Sequence, residues 1–108
     1  MGPSGAKALA VWLHNSNVTE LSLCNNNLGD LGAQALASAR PNLTTLHLSN
    51  NKIGDVGAGA LVDMAARLTE LNLGDNPIRI TGIDALAAAA LQNTRLKFLL
   101  STLLKIVV

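Results

Sequence analysis

Cysteine occurs once in the 108 residues, as Cys24; tyrosine is absent, and tryptophan and phenylalanine appear once each. A lone thiol cannot close an intrachain disulfide or build a metal site, so neither an oxidising compartment nor a metal centre is called for. Aromatics at 2% leave no material for an aromatic-lined cofactor pocket, and no cofactor is expected. Eight Lys and Arg against seven Asp and Glu give a net charge of +1, too weak a field to gather phosphate backbones, so nucleic acid is not an expected partner. The amino end lacks a basic stretch followed by an apolar segment and a small-residue cleavage site, so no signal peptide is visible and a soluble chain is expected. What is abundant is aliphatic: 21 leucines and 16 alanines. The length suits one domain, residues 1–108, with a core of small and branched side chains.

Self-comparison organises the rest, because a fixed period changes what every position means. Val18, Leu21, Leu23, Asn26, Leu28 and Gly29 return as Leu43, Leu46, Leu48, Asn51, Ile53 and Gly54, and again as Leu68, Leu71, Leu73, Asn76 and Ile78. The pattern is LxxLxLxxNxLG at a spacing of 25 residues. The second half of each unit recurs as Gly32-Ala33-x-Ala35-Leu36, Gly57-Ala58-x-Ala60-Leu61 and Gly82-Ile83-x-Ala85-Leu86. Its apolar positions fall three and four apart, one face of a helix, with Leu36 and Ala39 answered by Leu61 and Met64. Asp30 and Asp55 stand where an N-cap carboxylate accepts the first free amides. In the third unit Pro77 follows Asn76, Ile80 replaces the aspartate, and Thr81 is the expected N-cap. Leu21-Ser22-Leu23-Cys24 alternates apolar with polar and reads as a short strand.

Carried backward, the phase aligns Gly2, Gly5, Ala6, Ala8 and Leu9 with Gly29, Gly32, Ala33, Ala35 and Leu36. The chain therefore opens in mid-unit, with residues 1–17 a partial unit holding a helix alone. Full units are expected at 18–42, 43–67 and 68–95. From Leu96 to Val108 the residues are mostly Leu, Ile, Val and Phe, interrupted by Lys97 and Lys105, too short an apolar run for a membrane span of about 20 residues. Three readings stand for this terminal strand and tail: a cap sealing the core, an exposed edge that pairs with another chain, or a repeat cut short. Trp12, in the slot of Ala39, Met64 and Ala89, is expected to fill the open first turn. If that end is unsealed, Trp12 and Val11 become contacts to a missing repeat or a second copy.

These residues resemble the ribonuclease-inhibitor-like class of leucine-rich repeats over about Gly2 to Leu100. Within it, Ile53-Gly54-Asp55-Val56-Gly57-Ala58-Gly59-Ala60-Leu61 and Gly32-Ala33-Gln34-Ala35-Leu36-Ala37 are similar to GALA-type repeats of effectors from plant-pathogenic bacteria. The resemblance implies an α/β solenoid, a right-handed β-α superhelix with a short parallel sheet on the concave face and helices on the convex face. The compartment is left open: the cytoplasm, or a host cell if the chain is an effector. GALA effectors pair such repeats with an F-box, and no segment here is free to be one.

The period assigns roles. Asn26, Asn51 and Asn76 fall where the chain leaves the strand, and an amide there can donate and accept where a leucine would leave backbone groups unpaired. In the family such residues form a ladder, and that structural role is carried to all three. Between the buried leucines, Glu20, Ser22 and Cys24, then Thr45, His47 and Ser49, then Glu70, Asn72 and Gly74 share the exposed sheet face in columns about 4.8 Å apart. Asn25, Asn50 and Asp75 extend its edge. The face is small, polar and faintly acidic, which suits a protein partner better than a small ligand needing an enclosed pocket. It lacks Trp, Tyr and Arg, the usual interface anchors. His47, Ser49 and Glu20 or Glu70 can be drawn as a triad, but nothing supplies an oxyanion hole, so no catalytic residue is assigned and a non-enzymatic module is expected. His14, at a helix end, is expected to cap carbonyls. The alternative function is a structural or self-associating fragment, joined through the apolar tail or the open amino end.

Overall fold

The computed structural model describes residues 2–39 and 42–91. The expected terminal strand and tail, 96–108, and the last residues of the third unit lie outside them. Helix α1 (Gly2–His14) leads to strand β1 (Glu20–Ser22), α2 (Gly29–Ser38), β2 (Thr45–His47), α3 (Asp55–Ala60), α4 (Val62–Ala65), β3 (Glu70–Asn72) and α5 (Ile80–Leu91). The strands form one parallel sheet in the order β1-β2-β3. Its register follows the 25-residue spacing: Leu21 pairs with Leu46 and Leu46 with Leu71. Regular strand starts and ends earlier than the alternation suggested, at 20–22 rather than 21–24. Pairing nevertheless continues beyond it, from the Leu23 N–H to the His47 carbonyl (2.9 Å) and from the Asn25 N–H to the Ser49 carbonyl (3.0 Å). The strand stops because Asn25, Asn50 and Asp75 adopt left-handed backbone, with φ of 62°, 55° and 58°. Short Asx side chains tolerate that region best after glycine.

The leucine columns meet between sheet and helices. Leu46, Leu48, Leu71, Leu73, Leu28, Ile53, Leu36, Leu61 and Leu86 are all buried, each contributing about 1.5–3 kcal/mol by leaving water. Toward the amino end some slots are less covered: Leu9, Val18 and Leu21 pack against the core only partly buried.

The helix caps differ from the sequence expectation. Neither Asp30 nor Asp55 caps its own helix, and the N-cap residues Leu28 of α2 and Gly54 of α3 make no side-chain cap bond. Instead Asp30 Oδ1 accepts the N–H groups of Gly54 (2.7 Å) and Gly57 (3.0 Å) at the start of α3. Asp55 Oδ1 accepts the N–H of Arg79 (2.6 Å), just before α5. Each carboxylate thus sits at the positive end of the next helix. Helix α5 begins at Ile80, one residue ahead of the expected Thr81 cap, because Asp55 supplies the acceptor. Glycine makes the stacking possible, since a Cβ at Gly57 would lie 2.6 Å from Asp30 Oδ1 and 3.1 Å from its Cα.

Trp12 also departs from expectation. Trp12 is 56% exposed and Val11 74%; the buried face of α1 is Ala6, Ala10 and Leu13. Spacing of four and three puts those residues on one side, and Trp12 falls off it. His14 Nδ1 lies 3.0 Å from the carbonyl oxygen of Ala39, the C-cap of α2, so it serves the neighbouring helix rather than its own.

Candidate functional site: the polar face of the sheet

Alternation along each strand turns Leu21, Leu46 and Leu71 inward and sends their neighbours to the face that carries no helix among the described residues. Register then arranges these neighbours in rows. Glu20, Thr45 and Glu70 form one; Ser22, His47 and Asn72 form the next. Glu20 and Ser22 are exposed, and the other four are half-buried. Cys24 and Ser49 follow beyond the regular strands, also half-buried, whereas Gly74 in the same slot is buried.

Two internal contacts shape this face. His47 Nε2 lies 2.6 Å from Glu70 Oε2, a diagonal pair across β2 and β3 with both side chains about one-third exposed. Cys24 has Ser49 and Ser22 as neighbours, with Ser22 Oγ 3.7 Å from its Sγ. Hydrogen bonding from the Ser49 side chain, assisted by Ser22, holds the thiol below its ordinary range against a weaker opposing effect of burial. The triad drawn from sequence is therefore divided. Glu70 rather than Glu20 reaches His47, and Ser49 engages Cys24. Among the described residues no group of three or more His, Cys, Asp or Glu is placed to hold a metal.

The asparagines lie beneath the rim of this face. Asn51 Oδ1 accepts the N–H groups of Asn26 (2.9 Å) and Leu28 (3.3 Å), and its Nδ2 donates to the carbonyls of Leu23 (2.8 Å) and Ser49 (3.2 Å). Asn76 repeats this one unit on, accepting from Asn51 N (2.9 Å) and Ile53 N (3.0 Å) and donating to the Leu48 carbonyl (2.9 Å). Asn26 donates to the Cys24 carbonyl at 3.0 Å. Asn51 and Asn76 are buried, and their role is to satisfy backbone at the bend. The bends themselves were missed as left-handed turns, although Asn25, Asn50 and Asp75 sharing one slot was the signal. Asn27 and Lys52 are left-handed too, and with Asn25 and Asn50 they line a small depression at the rim. On the helix layer, Gln34, Ser38, Ala60, Asp63, Met64 and Arg67 line an open groove of about 650 Å³.

A family model for leucine-rich repeats matches residues 16–78, more than half of the chain. The chain belongs to the leucine-rich repeat family. Among curated proteins none matches it. The leucine-rich repeat match spans β1 through the loop after β3; α1 and α5 continue the same helix layer on either side of it. Leucine-rich repeats commonly serve as protein-interaction modules and are typically non-enzymatic. No helix among the described residues is long and apolar enough to cross a membrane.

Proposed function

We propose that this chain is a non-enzymatic protein-interaction module that seats a partner protein on the helix-free face of its sheet. The contact set is Glu20, Ser22, Cys24, Thr45, His47, Ser49, Glu70 and Asn72. The observation that carries the reading is the parallel register, which converts three separate sequence stretches into adjoining polar rows. An open sheet of this kind offers many modest contacts and no enclosure, the geometry of a protein interface rather than a small-ligand pocket. Further stacking at the same spacing would extend the rows into the concave surface of a right-handed solenoid of the ribonuclease-inhibitor-like class, with residues 1–108 as one domain. The Gly57-Ala58-Gly59-Ala60-Leu61 type of phrase supports a bacterial effector as the parent protein, acting in the cytoplasm or inside a host cell. A photo-crosslinking side chain introduced at Thr45 should trap the partner, whereas one at Gln34 on the helix layer should not. Trapping from Gln34 alone would overturn the reading.

A further inference from the structure

Charge is divided unevenly over the molecule. The chain carries +1 overall, yet its described cations stand off the strands: Lys7 in α1, Arg67 after α4, Arg79 just before α5, and Lys52 at the bend after β2. On the three strands the only Asp, Glu, Lys or Arg residues are Glu20 and Glu70. Lys52 reaches only the rim where the strands end, and these two glutamates lie where they begin. Register places them in one row with Thr45 between them. Their Cα atoms are thus two strand spacings, about 10 Å, apart. Glu70 Oε2 meets His47 Nε2 of β2 at 2.6 Å, which holds this carboxylate beside the middle strand. Glu70 Oε1, both oxygens of Glu20 and the Thr45 hydroxyl make no hydrogen bond among the described residues. Like charges flanking one residue of a sheet repel, and no described Lys or Arg offsets them.

We propose that the partner presents an arginine to this row, its guanidinium laid over Thr45 between Glu20 and Glu70. The inference rests on the partner-binding role proposed for the sheet face and names the chemistry that face selects. The free acceptors are spread over three residues of three strands. A planar guanidinium with five donors can meet several of them at once, whereas the compact ammonium of lysine meets fewer. Charge-assisted bonds to carboxylates are also about twice as strong as neutral ones. The sheet face has no Arg, Trp or Tyr of its own, so its anchor comes from the other side of the interface. His47 acts here as a positioning residue: it touches Glu70 rather than the partner's cation and keeps that carboxylate beside Thr45.

Random peptides displayed on phage and selected on the full chain test this. Recovered sequences should be enriched in arginine, less so in lysine. A synthetic peptide made from one of them should lose affinity roughly two- to fivefold with Glu20→Gln or Glu70→Gln, the size of one exposed ion pair, and more with both. Glu70→Gln should also flatten the dependence of binding on salt. His47→Ala should weaken binding without flattening it, and His47→Gln, which can still donate to Glu70, should restore it. Asp63→Asn with Asp84→Asn, acids of the helix layer, should change nothing; an equal loss there would mean unspecific attraction and would overturn the proposal. So would basic peptides bound undiminished by the double glutamine variant, or recovery of no peptide that depends on Glu20 or Glu70. Binders without arginine or lysine that are refused by Thr45→Trp, with far-UV circular dichroism unchanged, would overturn this inference and leave the sheet-face reading standing. Binders indifferent to every sheet-face variant would count against both.

Discussion

Asp30 and Gly57, from neighbouring units, make one joint: the carboxylate accepts the Gly57 N–H at 3.0 Å, and the missing Cβ lets it come that close. Asp30→Ala removes two charge-assisted bonds from the start of α3 and should cost about 1–2 kcal/mol in urea unfolding, with Asp30→Asn recovering about half. Gly57→Ala should cost about 2 kcal/mol or more, because the new methyl meets the Asp30 backbone, which cannot yield as a side-chain tip can.

Asn51 joins two units through four hydrogen bonds, so its truncation leaves buried donors and acceptors on both sides. Asn51→Ala should destabilise by about 3 kcal/mol or more. Asn51→Leu should do no better, although it restores volume, because a leucine can neither accept from the Asn26 and Leu28 N–H groups nor donate to the Leu23 carbonyl. Chemical denaturation monitored by circular dichroism checks both.

Those joints mark where sequence reading succeeded and where it stopped. The 25-residue recurrence of Leu21, Leu46 and Leu71 made the register legible, since it sets like leucines beside one another, and the parallel sense was what the leucine-rich-repeat resemblance implied. Asn51 and Asn76 were legible because a polar residue in an apolar series needs a buried partner. Asp30 was not. An acidic residue at a helix start reads the same whether it serves that helix or the next, and only the spacing of the stacked units tells them apart. Trp12 was misplaced for a related reason: its slot is buried by a preceding helix, and α1 has none among the described residues. Within the polar face, all eight positions were legible from alternation, but the choice of Glu70 over Glu20 for His47 depends on side-chain reach across the strands.

The Cys24 thiol lies below its ordinary range, so its alkylation should reach half its maximal rate at a lower pH than cysteine in a short unfolded peptide. Ser49→Ala should move that midpoint up, and Ser22→Ala should move it less. Stability follows the same sign. A depressed acid contributes stability that is fully present above its unfolded pKa and lost as pH falls through its folded one, so the gain belongs to alkaline pH and should shrink in Ser49→Ala.

The His47–Glu70 pair is one-third exposed, which screens it. Glu70→Gln should change unfolding stability by less than about 1 kcal/mol. A larger loss would mean that the pair holds the sheet together rather than presenting a surface.

Charge reversal on the sheet face tests the central claim most directly. Glu20→Lys, His47→Ala and Glu70→Lys combined in one chain should abolish capture of the partner while leaving the unfolding free energy within about 1 kcal/mol of the parent; Gln34→Glu with Arg67→Glu on the helix layer should leave capture intact. Undiminished capture by the sheet-face variant, with loss in the helix-layer variant, would contradict the account.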